Sequence, residues 1–262
     1  MGSVDDVLMT ATLPARHVQI EHVMGTVVSL DARGVDSTRG RAAFAEVAAW
    51  LHEVDLRFST YRDGSEIRRI DRGELAAEAA SADVRSVLER CAQLRRETRG
   101  AFDEYAAGPL DPSAFVKGWA VQRAADLLRD AGLADFSLNA GGDVVVRGGA
   151  LPAASWRVGI QHPHDRAAIA TAIEVTDMAV ATSGTYERGP HLLDPRTGSP
   201  PSGVVSVTVV GPDLGLADAY STAAFALGLD GPQWTLGLAG YDAMTILADD
   251  RVLTTPGFPG RA

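Results

Sequence analysis

Residues 204–228, "VVSVTVVGPDLGLADAYSTAAFALG", join a strand pattern directly to a helix pattern. The first part, "VVSVTVVGP" (204–212), carries the β-branched enrichment typical of a strand. The second part, "ADAYSTAAFALG" (217–228), consists almost entirely of small and apolar residues and predicts a helix of buried character. Its polar residues Asp218 and Thr222 lie four positions apart, so a carboxylate and a hydroxyl share one face of that helix.

Three further helices are predicted upstream of this segment. Residues 36–58 show helical spacing of apolar side chains, and Asp36 or Ser37 can cap the start of that helix. Residues 81–100 and 114–132 repeat the pattern and end at glycines. Residues 17–32, "HVQIEHVMGTVVSLDA", suit a strand or a hairpin broken at a glycine.

The second half of the chain is rich in strand patterns. They are "DVVVRG" (143–148), "WRVGIQH" (156–162), "TAIEVTDMAVATS" (171–183), "VVSVTVVGP" (204–212) and "AMTILADDRVLTT" (243–255). Because strands and helices do not alternate strictly, we expect an α+β fold with a mainly antiparallel sheet and packed helices. Residues 1–15 are expected to form a loose terminus, and residues 16–262 a single domain or two intertwined subdomains.

Composition narrows the classes of partner and compartment. The chain has 262 residues and a formal net charge of −10, which disfavours nucleic acid and anionic membranes as partners. The single cysteine, Cys91, cannot form an internal disulfide. There is no run of about 20 apolar residues and no visible signal peptide, so we expect a cytoplasmic protein, or an exported one if a leader has been removed.

Four polar, glycine-rich segments carry the chemistry, namely residues 57–67, 100–120, 137–149 and 181–203. In the second of them, Lys117 lies in an apolar helix start. It either extends its ammonium group to the surface or faces a phosphate.

The third and fourth segments also allow two interpretations each. "NAGGD" (139–143) fits a tight turn, although paired glycines also let a ligand approach the backbone. In the fourth, His191 is either a solvated loop residue or a catalytic one, and "DPRTG" (194–198) favours a turn.

The pair Asp218 and Thr222 has two interpretations, one as helix-stabilising residues and one as metal ligands. In the first, Asp218 favours the helix dipole from the first turn and Thr222 bonds back to the helix. In the second, both are hard oxygen ligands of Mg²⁺, with coordination positions left open for substrate phosphates.

Nine segments occur in an order that resembles one family. They are "MGTVVSL" (24–30), "FSTYRDGSEIRRID" (58–71), "GAFD" (100–103), "GPL" (108–110), "LDPSAFVKG" (110–118), "LNAGGD" (138–143), "ATSGTY" (181–186), "HLLDPRTG" (191–198) and "ADAYSTAAFALG" (217–228). Together they resemble the ApbE family, the FAD:protein FMN transferases.

The resemblance implies an ApbE-like fold and a Mg²⁺-dependent transferase. Such an enzyme takes FAD, breaks its diphosphate, attaches FMN to a Thr or Ser hydroxyl of an acceptor flavoprotein and releases AMP. Two alternatives remain open: a pyrophosphatase that converts FAD to FMN and AMP, and a flavin-binding protein without turnover.

The resemblance also assigns residues to roles. It implies that Mg²⁺ is held by Asp218, Thr222 and the backbone carbonyl of Ala114. The positions that line the flavin nucleotide are Met24, Tyr61, Ala101, Phe102, Asp103, Lys117 and Leu193. His191 matches the general base and, with Lys117, forms the implied catalytic set, while Tyr61 and Phe102 offer faces on which a flat ring can stack.

Three departures from the family pattern surround the implied site. Leu110 runs directly into Asp111, where many members carry a longer segment. Ser113 and Ala114 replace two glycines, and Tyr105 replaces a threonine. A compact branch of the family would explain these changes.

Overall fold

A computed structural model of the chain describes residues 14–185 and 193–260. Within them, eight strands form one sheet in the order β1-β2-β3-β4-β7-β8-β9-β10, and β5 and β6 form a separate hairpin. The strands are β1 (Arg16–Val23), β2 (Thr26–Arg33), β3 (Asp135–Ala140), β4 (Asp143–Arg147), β5 (Trp156–His162), β6 (Asp165–Val175), β7 (Ala179–Gly184), β8 (Val204–Gly211), β9 (Asp242–Leu247) and β10 (Val252–Thr254). Each neighbouring pair is antiparallel, so the predicted α+β class with an antiparallel sheet is confirmed.

The described residues also contain six α-helices and two short 3₁₀ turns. The helices are α1 (Ser37–Phe58), α2 (Glu66–Asp71), α3 (Ala82–Glu97), α4 (Ser113–Asp130), α5 (Leu214–Ala226) and α6 (Gly231–Thr235); the 3₁₀ turns are Ala77–Ala79 and Gly228–Asp230. The three upstream helices are confirmed. Asp36 caps α1, because its side chain accepts hydrogen bonds from the backbone N–H groups of Thr38 and Arg39.

Helix α5 begins earlier than the sequence pattern indicates. Asp213 is its N-cap and accepts a hydrogen bond from the N–H of Leu216, so the helix starts at Leu214 rather than Ala217. Its first turn contains no acidic residue. The interpretation of Asp218 as a first-turn residue that favours the helix dipole is therefore wrong.

Two strand predictions also need correction. Strand β3 has no counterpart among the strands predicted above, although "DFSLNA" alternates polar and apolar residues as a strand does, because this short segment runs directly into turn chemistry. Residues 171–183 form one strand pattern in the sequence but belong to two strands in the structure. Asp177, between β6 and β7, adopts a left-handed φ of 54° and separates them.

The sheet separates two apolar clusters. The large cluster joins the sheet to the helices and includes Phe44, Leu51, Val121 and Phe136. The small cluster lies between the sheet and the β5–β6 hairpin and includes Trp156. The division into a loose terminus and one domain stays a prediction, since residues 1–13 are outside the described part.

Helices α4 and α5 approach each other at glycines. A Cβ atom added to Gly118 would lie 2.5 Å from the carbonyl oxygen of Leu214 and 2.9 Å from the Cα of Gly215. A Cβ on Gly215 would in turn lie 3.2 Å from the backbone nitrogen of Trp119. The backbones therefore touch, which brings Lys117 beside Asp218.

Among the described residues, we find no helix that combines the length and the apolar character needed to cross a membrane.

Candidate active site

Several segments with candidate site residues lie together at one end of the main sheet. The β1–β2 turn (Met24–Gly25), the β3–β4 turn (Gly141–Gly142) and the last residues of β7 all lie at this end. The N–H of Gly141 donates to the carbonyl of Val27 at 3.2 Å, so the first two turns are in direct contact. The pairing register of the strands therefore fixes the positions of the turns and strand ends that support the site.

The turn interpretation of "NAGGD" is confirmed. Gly141 and Gly142 both have positive φ, 60° and 102°, which side chains rarely adopt. The side-chain oxygen of Asn139 accepts a hydrogen bond from the N–H of Gly142 at 3.0 Å. As a result, Asp143 becomes the first residue of β4 and is fully buried.

Lys117 faces carboxylates rather than solvent. Its Nζ lies 2.5 Å from Oδ2 of Asp143, and the lysine side chain is only 17% exposed. The other oxygen of Asp143 accepts a hydrogen bond from the N–H of Thr182 at 3.2 Å. The alternative in which Lys117 extends its ammonium group to the surface is therefore excluded by this arrangement.

Asp218 and Thr222 lie beside the same lysine and the same strand. Oδ2 of the buried Asp218 is 3.9 Å from Nζ of Lys117. Oγ1 of Thr222 is hydrogen-bonded at 3.2 Å to Oγ of Ser183 on β7, and Ser183 is also bonded to Ser221 at 2.8 Å. Two carboxylates therefore flank one ammonium group, and α5 also carries hydroxyl groups that are hydrogen-bonded to β7.

The donor atoms present fit Mg²⁺. Asp218 and Thr222 are one turn apart on α5, which puts their Cβ atoms about 5–6 Å from each other. Ala114 lies in the first turn of α4, the helix that packs against α5. All three offer hard oxygens, the ligands that Mg²⁺ prefers. The described residues contain no group of three or more His, Cys, Asp or Glu placed to hold a metal, so an ion here depends on this mixed set.

Met24 and the loop that carries Tyr61 border a cavity. Met24 has a left-handed φ of 55° at the β1–β2 turn. With His52, Asp55 and Arg62, it lines a cavity of about 450 Å³. Tyr61, next to Arg62, is 95% exposed, so its ring is accessible to a ligand.

Residues 101–103 can present backbone groups and the Asp103 carboxylate to a ligand, but not the aromatic face of Phe102. Ala101 and Phe102 are 1% and 2% exposed, and the Phe102 ring belongs to the large apolar cluster. The expectation that Phe102 stacks on a flat ring is wrong, because that ring is enclosed by the core. Asp103 is partly exposed and lies 3.4 Å from Nη1 of Arg95.

The loop from Leu193 to Gly198 folds back toward this segment. The Asp194 carboxylate accepts two hydrogen bonds from the Arg196 guanidinium, each at 2.8 Å, and this pairing lowers the pKa of Asp194. The Arg196 side chain is 3.6 Å from the position of a Cβ on Gly100, so this loop contacts the chain directly before residues 101–103. His191 lies outside the described residues, and its role stays a prediction.

Two polar residues at the centre of the site were not singled out from the sequence. Asp143 and Ser183 lie in two of the segments that carry the family resemblance, "LNAGGD" and "ATSGTY", but the resemblance assigns a role to neither. An aspartate that opens the apolar strand "DVVVR" is a further signal for Asp143, because a charge there needs a partner.

Comparisons with known proteins are consistent across sequence and structure. The family model described as "ApbE family" matches residues 24–111 and 106–244. The FAD:protein FMN transferase of Salmonella typhimurium is 24% identical and aligns with 95% of this chain and 89% of its own. That of Vibrio cholerae is 27% identical over 70% of this chain and 72% of its own.

Solved structures show the same fold. The flavin transferase ApbE from Vibrio cholerae superposes with a TM-score of 0.81, at 24% identity, over 94% of this chain and 98% of its own. The ApbE protein of Thermotoga maritima gives a TM-score of 0.81 at 21% identity, over 93% and 98% of the two chains.

Proposed function

The chain belongs to the ApbE family, and we propose that it is an FAD:protein FMN transferase. It transfers FMN from FAD to a Thr or Ser hydroxyl of an acceptor flavoprotein and releases AMP. The observation that carries this proposal is the buried group of Lys117, Asp143 and Asp218 at the loop-rich end of the sheet. A diphosphate with its metal ion needs both the cation and the carboxylate that this group provides.

Asp218, Thr222 and the carbonyl oxygen of Ala114 would hold the Mg²⁺ ion. When bound, Mg²⁺ offsets the negative charge of the diphosphate and stabilises the charge that develops on the leaving AMP. Asp218 supplies the negative charge of the site, since the carbonyl and hydroxyl ligands are neutral. The hydrogen bond between the hydroxyl groups of Ser183 and Thr222 would orient the Thr222 side chain.

Lys117 would bind a phosphate oxygen of FAD. A protein with net charge −10 repels a dinucleotide unless a local cation compensates. The ammonium group of Lys117 provides this charge at a largely buried position, where it is weakly screened by solvent. The Asp143 carboxylate, 2.5 Å from Nζ, would hold the ammonium group at the site.

The nucleotide would extend from Lys117 along the loops at the sheet end. Met24 borders the cavity beside α1. The exposed ring of Tyr61, next to Arg62 of that cavity, would stack on a planar group. Leu193 and the backbone of Ala101 and Phe102, together with the Asp103 carboxylate, would line the opposite side.

The transfer needs a base for the acceptor hydroxyl. His191 accepts the proton while the hydroxyl oxygen attacks the phosphorus of the FMN half. The new P–O bond joins FMN to the acceptor, and the bond to the AMP phosphate oxygen breaks, so AMP leaves with the electron pair. General-base assistance of this kind contributes roughly 10²–10⁴-fold.

Intact-mass analysis tests the proposal directly. The protein is incubated with FAD, Mg²⁺ and a flavoprotein domain that carries FMN on a threonine in its mature form. The acceptor should gain the mass of one FMN, EDTA should prevent the gain, and the same domain with that Thr changed to Val should stay unmodified. AMP release at the full rate without acceptor would instead identify a pyrophosphatase, and FAD binding without AMP release would identify a binding protein.

A further inference from the structure

Lys117 lies between two buried carboxylates at unequal distances. Its Nζ is 2.5 Å from Oδ2 of Asp143 and 3.9 Å from Oδ2 of Asp218. Asp143 is completely buried, and the Asp218 side chain is 5% exposed. One cation therefore has two candidate partners within a group that solvent hardly reaches.

This arrangement matters because the lysine and a metal ion compete for Asp218. The proposed function, on which this inference rests, makes Asp218 a metal ligand. An ammonium group paired closely with Asp218 would neutralise the carboxylate and repel a divalent ion. The lysine must stay near enough to reach a phosphate without occupying the metal ligand.

We infer that Asp143 is a positioning residue that holds Lys117 away from Asp218 and so keeps the Asp218 carboxylate available to a divalent cation. The shorter distance to Asp143 shows which carboxylate holds the ammonium group. Asp143 is not itself required to touch FAD or the metal.

The two carboxylates are short side chains carried by packed elements. Asp143 follows the Gly141–Gly142 turn, and its second oxygen accepts a hydrogen bond from the N–H of Thr182. Asp218 lies on α5, where the backbones of α4 and α5 meet at Gly118. A lysine side chain has a flexible four-carbon stem, so loss of the charge at position 143 would let Nζ move to Asp218.

A purely structural role for Asp143 makes a different prediction. If the residue only stabilises the fold around Lys117, its replacement would weaken metal binding whether or not the lysine is present. If it acts through the lysine, its replacement should matter only when the lysine is there. A double-mutant cycle on metal affinity separates the two cases.

The experiment measures Mn²⁺ affinity by EPR titration, with and without FAD, for wild type, Asp143→Asn, Lys117→Met and the double variant. We expect Asp143→Asn to weaken Mn²⁺ binding about tenfold or more, because the lysine then pairs with Asp218. In the absence of FAD, Lys117→Met should bind Mn²⁺ at least as tightly as wild type, and the double variant should match Lys117→Met. In transfer assays, Asp143→Asn should need more Mg²⁺ for half-maximal activity and recover part of its rate at high Mg²⁺.

Each outcome decides the inference. Equal Mn²⁺ affinity of wild type and Asp143→Asn would overturn it, and so would equal losses in the Asp143→Asn and double variants. If Asp143→Asn does not fold, as thermal melting would reveal, Lys117→Met still tests the competition, and a weaker affinity there would overturn it. Failure of the wild type to bind Mn²⁺ would remove the proposed metal site and the inference with it, whereas failure of FMN transfer alone would leave these affinities interpretable.

Discussion

Asp218 is a buried carboxylate that lies near Lys117 and is also a proposed metal ligand. A lone buried carboxylate is destabilising by several kcal/mol, about 3–5 when its partner has been removed. Here Lys117 lies within 3.9 Å and reduces this cost in the absence of a ligand. The proposed metal ion would replace this compensation with a stronger one, so the residue is retained for function rather than for stability.

Asp218→Asn should reduce FMN transfer at least about 10²-fold while the protein stays folded, because the carboxylate is the charged member of the proposed metal set. Steady-state transfer rates and Mn²⁺ affinity measure the two effects. The matched control is Asp213→Asn on the same helix, since Asn caps a helix about as well as Asp. Unchanged turnover in Asp218→Asn would remove this residue from the metal site.

His191→Ala should slow transfer about 10²–10⁴-fold and leave FAD binding intact, because the histidine is proposed to act on the acceptor proton and not on the nucleotide. Fluorescence titration with FAD and single-turnover transfer separate the two readouts. His164→Ala, in the exposed β5–β6 turn, serves as control. An unaltered transfer rate would mean that another group, or none, accepts the proton.

At the scale of elements, the contact between α4 and α5 positions the site. Glycine in a helix interior costs about 1 kcal/mol relative to alanine, so Gly118 and Gly215 lower the propensity of both helices. The close approach that they allow places residues of the two helices around one cation. At this crossing, the close approach of α4 and α5 matters more than the helix propensity that the glycines lower.

Gly118→Ala should destabilise the protein by about 1–3 kcal/mol and lower activity, although alanine has the higher helix propensity. Its Cβ would lie 2.5 Å from a backbone oxygen of α5, which cannot rotate away. Urea denaturation and transfer assays measure both effects. Gly64→Ala, where an added Cβ has no neighbour within 4 Å, should change stability by less than about 0.5 kcal/mol. A stabilised Gly118→Ala protein would contradict the proposed tight crossing.

Removal of a helix cap tests a second element that lies away from the site. Asp36→Ala removes the acceptor for two backbone N–H groups of α1 and should cost about 1 kcal/mol of unfolding free energy. Transfer activity below the melting temperature should stay unchanged. Asp36→Ser provides the control, since serine caps nearly as well, and equal losses for both variants would contradict the capping role.

At the scale of the whole molecule, several carboxyl groups hold pKa values below their ordinary range. Hydrogen bonds from Arg196 lower the pKa of Asp194, backbone N–H groups lower that of Asp36, and Arg251 lowers that of Asp249. A group with a lowered folded-state pKa adds stability above its unfolded pKa, about 3.9 for Asp, and loses it as the pH falls through the folded value. Acid therefore destabilises the native state through these groups.

The free energy of unfolding should decrease as the pH falls below about 4 and should depend weakly on these groups above about pH 5. Urea denaturation across this range measures the slope. Asp194→Asn should flatten the acid limb because its side chain no longer titrates. An acid limb with the same slope in that variant would exclude Asp194 as a contributor.

The fold was predictable from the sequence to a large extent because its signals are local. The helical spacing of residues 36–58 and the β-branched content of residues 204–212 each report their own element. The site was predictable only as a set of motifs. The pairing of Lys117 with Asp143 depends on how α4 packs over β4 and on a helix crossing between glycines, and no local pattern reports such contacts between elements.

The three charged residues of the site come from α4, β4 and α5, which are distant in the sequence. The complete set exists only after α4 and α5 have packed against the sheet. The proposed metal ion would therefore bind late in folding, and its loading would report a completed tertiary structure.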